Sequence, residues 1–153
     1  MPPPPRDPAV DPAWRNAADP IERIFSLLGH YRALIVETGG MDEHSAGSSA
    51  LKTREPDARV RELAAARLQA RTDAVLECLV QAGRRLPDTL DRLSLAEFVV
   101  TTMEGALLQA RVFRDLAYFD RAVSELRNYL EVLLYGRPIM SAPIRQTLAG
   151  IGR

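Results

Sequence analysis

Histidine and cysteine, the side chains best suited to proton transfer, metal ligation and nucleophilic attack near neutral pH, are few in this chain: two histidines, His30 and His44, and one cysteine, Cys78. Such chemistry needs its groups in register, as in the H-E-x-x-H pattern of zinc proteases or the E-x-x-H pairs of di-iron bundles. Neither histidine belongs to such a pattern. No Walker loop, G-x-S-x-G elbow or G-x-G-x-x-G turn occurs either. His44 follows Asp42 and Glu43 but lies in a Gly- and Ser-rich stretch that reads as a solvated loop. His30 reads as a part-buried or surface ring on a helix, and Cys78, inside V-L-E-C-L-V, as a small core residue without a resolving thiol. No catalytic residue, metal or cofactor is expected, and the protein is expected to act by binding.

The bulk composition narrows what it could bind. With 153 residues and 46% apolar content, the chain can bury one core. Twenty basic residues balance twenty acidic ones, so the formal net charge is zero and no broad cationic surface is offered to a phosphate backbone. A lone cysteine fits a reducing, cytoplasmic setting. No apolar run reaches the roughly 18 uncharged residues of a membrane span, and the N-terminus is proline-rich rather than signal-like. Nineteen of the twenty basic residues are arginine, a bias of GC-rich bacterial coding sequence more than of mechanism.

Punctuation and periodicity then define the elements. Residues 1–18 carry Pro2, Pro3, Pro4, Pro5, Pro8 and Pro12, which predict an extended, solvated tail in which Trp14 is the residue that docks. Asp19-Pro20-Ile21-Glu22 is a helix start, and Ile21, Ile24, Phe25, Leu28, Tyr31 and Ile35 give that helix one apolar face before Gly39-Gly40 stops it. After a loop over Gly39 to Ala50 and a short helical turn near Ala50 to Thr53, Glu55-Pro56-Asp57 opens a long helix. Its Ala64, Leu68, Thr72, Val75, Leu79, Ala82 and Leu86 recur at threes and fours. Ser94 with Glu97 reads as a capping box for the next helix, and Asp115 as the cap of the last one. Beyond Leu134, glycines and prolines predict an irregular tail over 136–153. No strand alternation appears, so the fold class is all-α, with about five helices and one ordered domain over 19–135.

The last two helices, Ser94 to Phe113 and Leu116 to Leu134, are the most informative. Apolar residues wrap nearly all the way round the first, which must therefore be covered on more than one side, and Gly105 and Ala106 would let another helix approach closely. In the second, Phe119, Val123, Leu126, Leu130 and Leu133 have the spacing of a helix-helix seam. These seven residues are the expected self-association face, a four-helix interface between two copies. On this reading, glutamate at Leu126 and Leu130 should give monomers.

The stretch VVTTMEGALLQARVFRDLAYFDRAVSELRNYLEVLL, Val99 to Leu134, resembles the end of the C-terminal domain of TetR-type transcriptional regulators. The resemblance is carried by Glu104-Gly105-Ala106-Leu107-Leu108 and by the short Arg114-Asp115 turn. Asp19-Pro20-Ile21-Glu22-Arg23-Ile24 similarly resembles the opening helix of that domain. The resemblance implies a homodimer joined through the last two helices, with the earlier helices enclosing a pocket for a small apolar effector. Inward residues of the first, long and penultimate helices would line it, with Phe25, Leu28, Tyr31, Leu79, Phe98 and Met103 as candidates. The helix-turn-helix headpiece of the family has no counterpart in Met1 to Ala18, so direct DNA binding by this chain alone is not expected. Two other readings remain open: a headless partner that heterodimerises with a full-length regulator, and an unrelated helical bundle.

Overall fold

The computed structural model describes residue 9 and residues 12–37 and 58–136. The loop at Gly39 to Ala50, the short turn near Ala50 to Thr53 that would supply a fifth helix, Glu55 to Asp57 and residues 137–153 lie outside the described residues. Within them the chain forms four α-helices: α1 (Pro20–Glu37), α2 (Ala58–Gln81), α3 (Arg92–Phe113) and α4 (Ala117–Tyr135). A 3-10 turn (Pro12–Asn16) precedes α1, another (Gly83–Arg85) follows α2, and no strand occurs among the described residues.

The helix ends follow local chemistry. Asp19 accepts a hydrogen bond from the Ile21 amide at 2.7 Å, and its other oxygen accepts one from Arg85 at 2.8 Å, so the cap of α1 also ties it to the 3-10 turn that follows α2. The start of α3 differs from the sequence expectation. Asp91, not Ser94, is the cap: one carboxylate oxygen accepts from the amides of Leu93 and Ser94 at 3.0 and 3.1 Å. The Ser94 hydroxyl donates to its other oxygen at 2.7 Å. An ionised carboxylate satisfies two orphan amides at once, and the serine is drawn into the first turn as a supporting donor. Asp91→Ala should therefore destabilise the fold, as loss of a capping side chain does, and lower the midpoint of urea denaturation.

Between α3 and α4 the chain reverses in a minimal turn. Arg114 takes the left-handed conformation at φ 52°, the Asp115 amide donates back to the Ala110 carbonyl at 3.0 Å, and the Asp115 carboxylate accepts from the Ala117 amide at 2.9 Å. Gly136, at φ 65°, ends α4 with its amide on the Val132 carbonyl at 2.8 Å. The short turn makes α3 and α4 an antiparallel hairpin. Its two ends are marked by ring contacts: Phe113 stacks on Tyr118 at 4.7 Å, and Phe98 meets Tyr129 edge-on at 5.9 Å.

The core draws on every helix, through Ile24, Leu28 and Tyr31 of α1, Val75, Cys78 and Leu79 of α2, Ala96, Val99 and Met103 of α3, and Phe119, Leu126 and Leu130 of α4. Trp14 closes one end of it, so Pro12–Asn16 is packed where the proline density predicted an extended tail. The indole is held by burial and by the Arg15 guanidinium, 4.6 Å from its ring; Arg15 in turn pairs with Glu77 at 3.2 Å.

Two bidentate ion pairs fasten α1 to α4: Arg32 to Asp120 at 2.7 and 3.0 Å, and Arg127 to Glu22 at 2.7 and 3.1 Å, the latter guanidinium lying 3.8 Å over the Phe25 ring. The Arg32 guanidinium holds the Asp120 carboxyl below its ordinary value of 3.8. A depressed folded-state pKa stabilises fully above the unfolded value and is lost as pH falls through the folded one. Arg32→Met should thus be slightly less stable than the parent protein at neutral pH, and the difference should close as pH drops below about 4, followed by urea midpoints against pH.

Candidate self-association face and ligand groove

Of the side chains singled out for chemistry, His30 and Cys78 lie within the described residues. The His30 Nδ1 lies 2.8 Å from the Ser26 carbonyl, an acceptor only, so this nitrogen donates along its own helix. Cys78 is buried, and burial, followed by the charge of Glu77, pushes its thiol up to about 11. A thiol so raised carries almost no thiolate at neutral pH and is a poor nucleophile. His44 lies outside the described residues. Among the described residues no cluster of three or more His, Cys, Asp or Glu could hold a metal, and no helix is long and apolar enough to cross a membrane.

The seven residues read as the self-association face divide between core and rim. Phe119, Leu126 and Leu130 are 1%, 3% and 1% exposed, and Ala106 is buried with them; Val123 and Leu133 are half-buried against the same core. This stripe of α4 is already covered by the protein's own helices. Gly105 is half-buried, and a Cβ built on it would meet nothing within 4 Å. In the single chain the three- and four-residue spacing of this seam is taken up by the protein's own helices.

A different set of apolar side chains is left open on the α3–α4 hairpin. Along α3 they are Phe98, Leu108 and Val112, spaced so that Thr101 and Gly105 complete one face; Phe113 stands at its end. Along α4 they are Tyr129 and Val132, in line with Tyr118 and Ala122. Phe98 to Val112 spans about 21 Å at 1.5 Å per residue, and the two aromatic contacts join the α3 and α4 stripes into one patch. The all-round apolarity of α3 is thus covered on one side by the chain's own helices and left open on this one.

The six residues read as a pocket lining also part company. Phe25, Leu28, Tyr31, Leu79 and Met103 are buried in the common core. Phe98 is 50% exposed and belongs to the hairpin patch, so it does not point inward with them. Among the described residues a recess lies elsewhere, between α2 and α3. It is an open groove of about 380 Å³ lined by Leu68 and Thr72 of α2 and by Glu97, Val100, Thr101 and Glu104 of α3. Sequence reading missed it, because Leu68 and Thr72 were assigned to core packing, Glu97 to a capping box and Glu104 to the run that carries the family resemblance.

Glu104 connects the groove to the interior. Its carboxylate pairs with the Arg71 guanidinium, which is 2% exposed and lies 4.9 Å from the Tyr31 ring. Arg111 is close enough for both charges to act on it: burial lowers its pKa below the ordinary guanidinium value, Glu104 raises it, and Arg71 lowers it further. A charged cluster thus sits under the groove, joining α1, α2 and α3.

A family model described as "Transcriptional regulator LmrA/YxaF-like, C-terminal domain" matches residues 20–125. The chain belongs to this family of TetR-type regulator C-terminal domains, in agreement with its all-α bundle. No curated protein and no solved structure matches it.

Proposed function

We propose that this chain is the effector-binding and dimerisation domain of a TetR-like transcriptional regulator, acting in the cytoplasm as a homodimer that meets through the open face of α3 and α4. The observation that carries the reading is the hairpin patch of Phe98, Leu108, Val112, Tyr129 and Val132, on the helix pair that resembles the pairing helices of TetR-type dimers. An apolar surface of this extent, rimmed by charge, is what a partner normally covers. Gly105 leaves open space at its centre, so the helix of a second copy can come close there.

The effector is assigned to the groove between α2 and α3, whose volume falls within the usual range for small-molecule sites. Because the groove and the dimer face lie side by side on α3 and share Thr101, a ligand that alters the spacing of α2 and α3 would also alter the setting of the two copies. Operator reading is not assigned to this chain, whose balanced charge gives little hold on a phosphate backbone. Sedimentation equilibrium tests the first half of the proposal: a species of about 34 kDa, twice the 17.0 kDa chain, is expected, and a monomer at micromolar concentration would refute it.

A further inference from the structure

We infer that the α2–α3 groove selects a small amphipathic cation, an ammonium-headed molecule whose charge sits at Glu97 and whose apolar body lies on Leu68 and Val100. The inference rests on the effector reading above and adds the ligand's class. Three observations carry it. First, every charged group lining the groove is a carboxylate, Glu97 and Glu104, and the remaining polar lining is two threonine hydroxyls. A carboxylate-headed ligand would find like charge there, whereas an ammonium finds acceptors on both helices.

Second, the two carboxylates are not equivalent. Glu104 is occupied by the buried Arg71, while Glu97 is exposed and has no ionic or hydrogen-bonding partner among the described residues. The charge available to a ligand is therefore that of Glu97, with the Thr101 hydroxyl one helical turn away on the same face. Third, Leu68 and Val100 supply an apolar floor that a bare metal ion or a free amine cannot use, so the site favours a cation with a hydrocarbon body. Arg71 does not line the groove; its guanidinium is turned onto Glu104 and the face of Tyr31, which argues against an anion site.

The test uses the full chain and three probes that share one skeleton and differ in the head group: 4-phenylbutylamine, 4-phenylbutan-1-ol and 4-phenylbutyrate. Affinities come from titration calorimetry, and the site from methyl NMR shifts of Leu68 and Val100. The amine should bind about fivefold or more tightly than the alcohol, the gain expected of one partly screened ion pair, and the butyrate most weakly. Glu97→Gln should erase the advantage of the amine over the alcohol while leaving the alcohol's affinity unchanged. If the alcohol or the butyrate matches the amine while the groove methyls shift, the groove stands as a ligand site and the cation class falls. If no probe shifts those methyls, the groove reading and the ligand class fall together. Amine binding that persists in Glu97→Gln with undiminished selectivity would also overturn the assignment to Glu97.

Discussion

Replacing Leu108 and Val112 together by glutamate should turn the protein into a folded monomer, whereas Leu126→Glu should unfold it. Leu108 and Val112 stand one turn apart on the open face of α3, with Val112 66% exposed. In the monomer such surface changes cost within about 0.5 kcal/mol each. In a two-fold dimer every substitution enters twice, and each buried, unpaired carboxylate costs about 3 kcal/mol. One such position alone then removes roughly 6 kcal/mol, about four decades in dissociation constant.

Leu126 is a core residue. Its replacement loses about 2 to 5 kcal/mol of packing and adds a charge to an apolar interior, which together approach the whole stability of a domain this size. Far-UV circular dichroism reads folding, and sedimentation equilibrium reads mass. A folded, monomeric Leu126→Glu would restore the seam suggested by periodicity, and a dimeric Leu108→Glu, Val112→Glu double variant would remove the open face from the interface.

The second large effect is expected at the buried ion pair. Glu104→Leu should lower stability by about 3 kcal/mol, because the Arg71 guanidinium remains in an interior that is nearly closed to water and loses its carboxylate. Arg111 worsens the balance, since the charge that opposes its repulsion from Arg71 is gone. The double variant Arg71→Met, Glu104→Leu should recover most of that loss, as apolar replacements of buried pairs commonly do. Fluorescence of Trp14, the single and buried tryptophan, follows the urea transition, and a midpoint fall of about 1 M or more is expected for Glu104→Leu alone. A double variant no more stable than Glu104→Leu would show that the pair is not the reason the single substitution destabilises.

Part of this architecture is legible in the residues alone. Asp19 and Pro20 start α1, Asp115 caps α4 and Gly136 ends it, because each acts through backbone atoms within a few residues of itself. The all-α class follows from three- and four-residue periodicity for the same reason. The cap of α3 was misplaced by three residues because Ser94 and Asp91 both carry capping chemistry, and the choice rests on which can reach two amides at once.

What only the tertiary structure decided is which apolar stripe faces which partner. Helix α4 has two stripes, Phe119-Leu126-Leu130 and Tyr118-Tyr129-Val132, and periodicity fixes their spacing without saying whether the chain's own helices or a second copy covers either. Packing of α1 against α4, held by Arg32 with Asp120 and Arg127 with Glu22, commits the first stripe to the core and leaves the second open. Arg71 is the sharper case. An arginine on a polar helix reads as solvated, and its burial depends on Glu104, 33 residues away, arriving beside it. Interactions between neighbours in sequence could be read from the chain; those set by the meeting of distant surfaces required the fold.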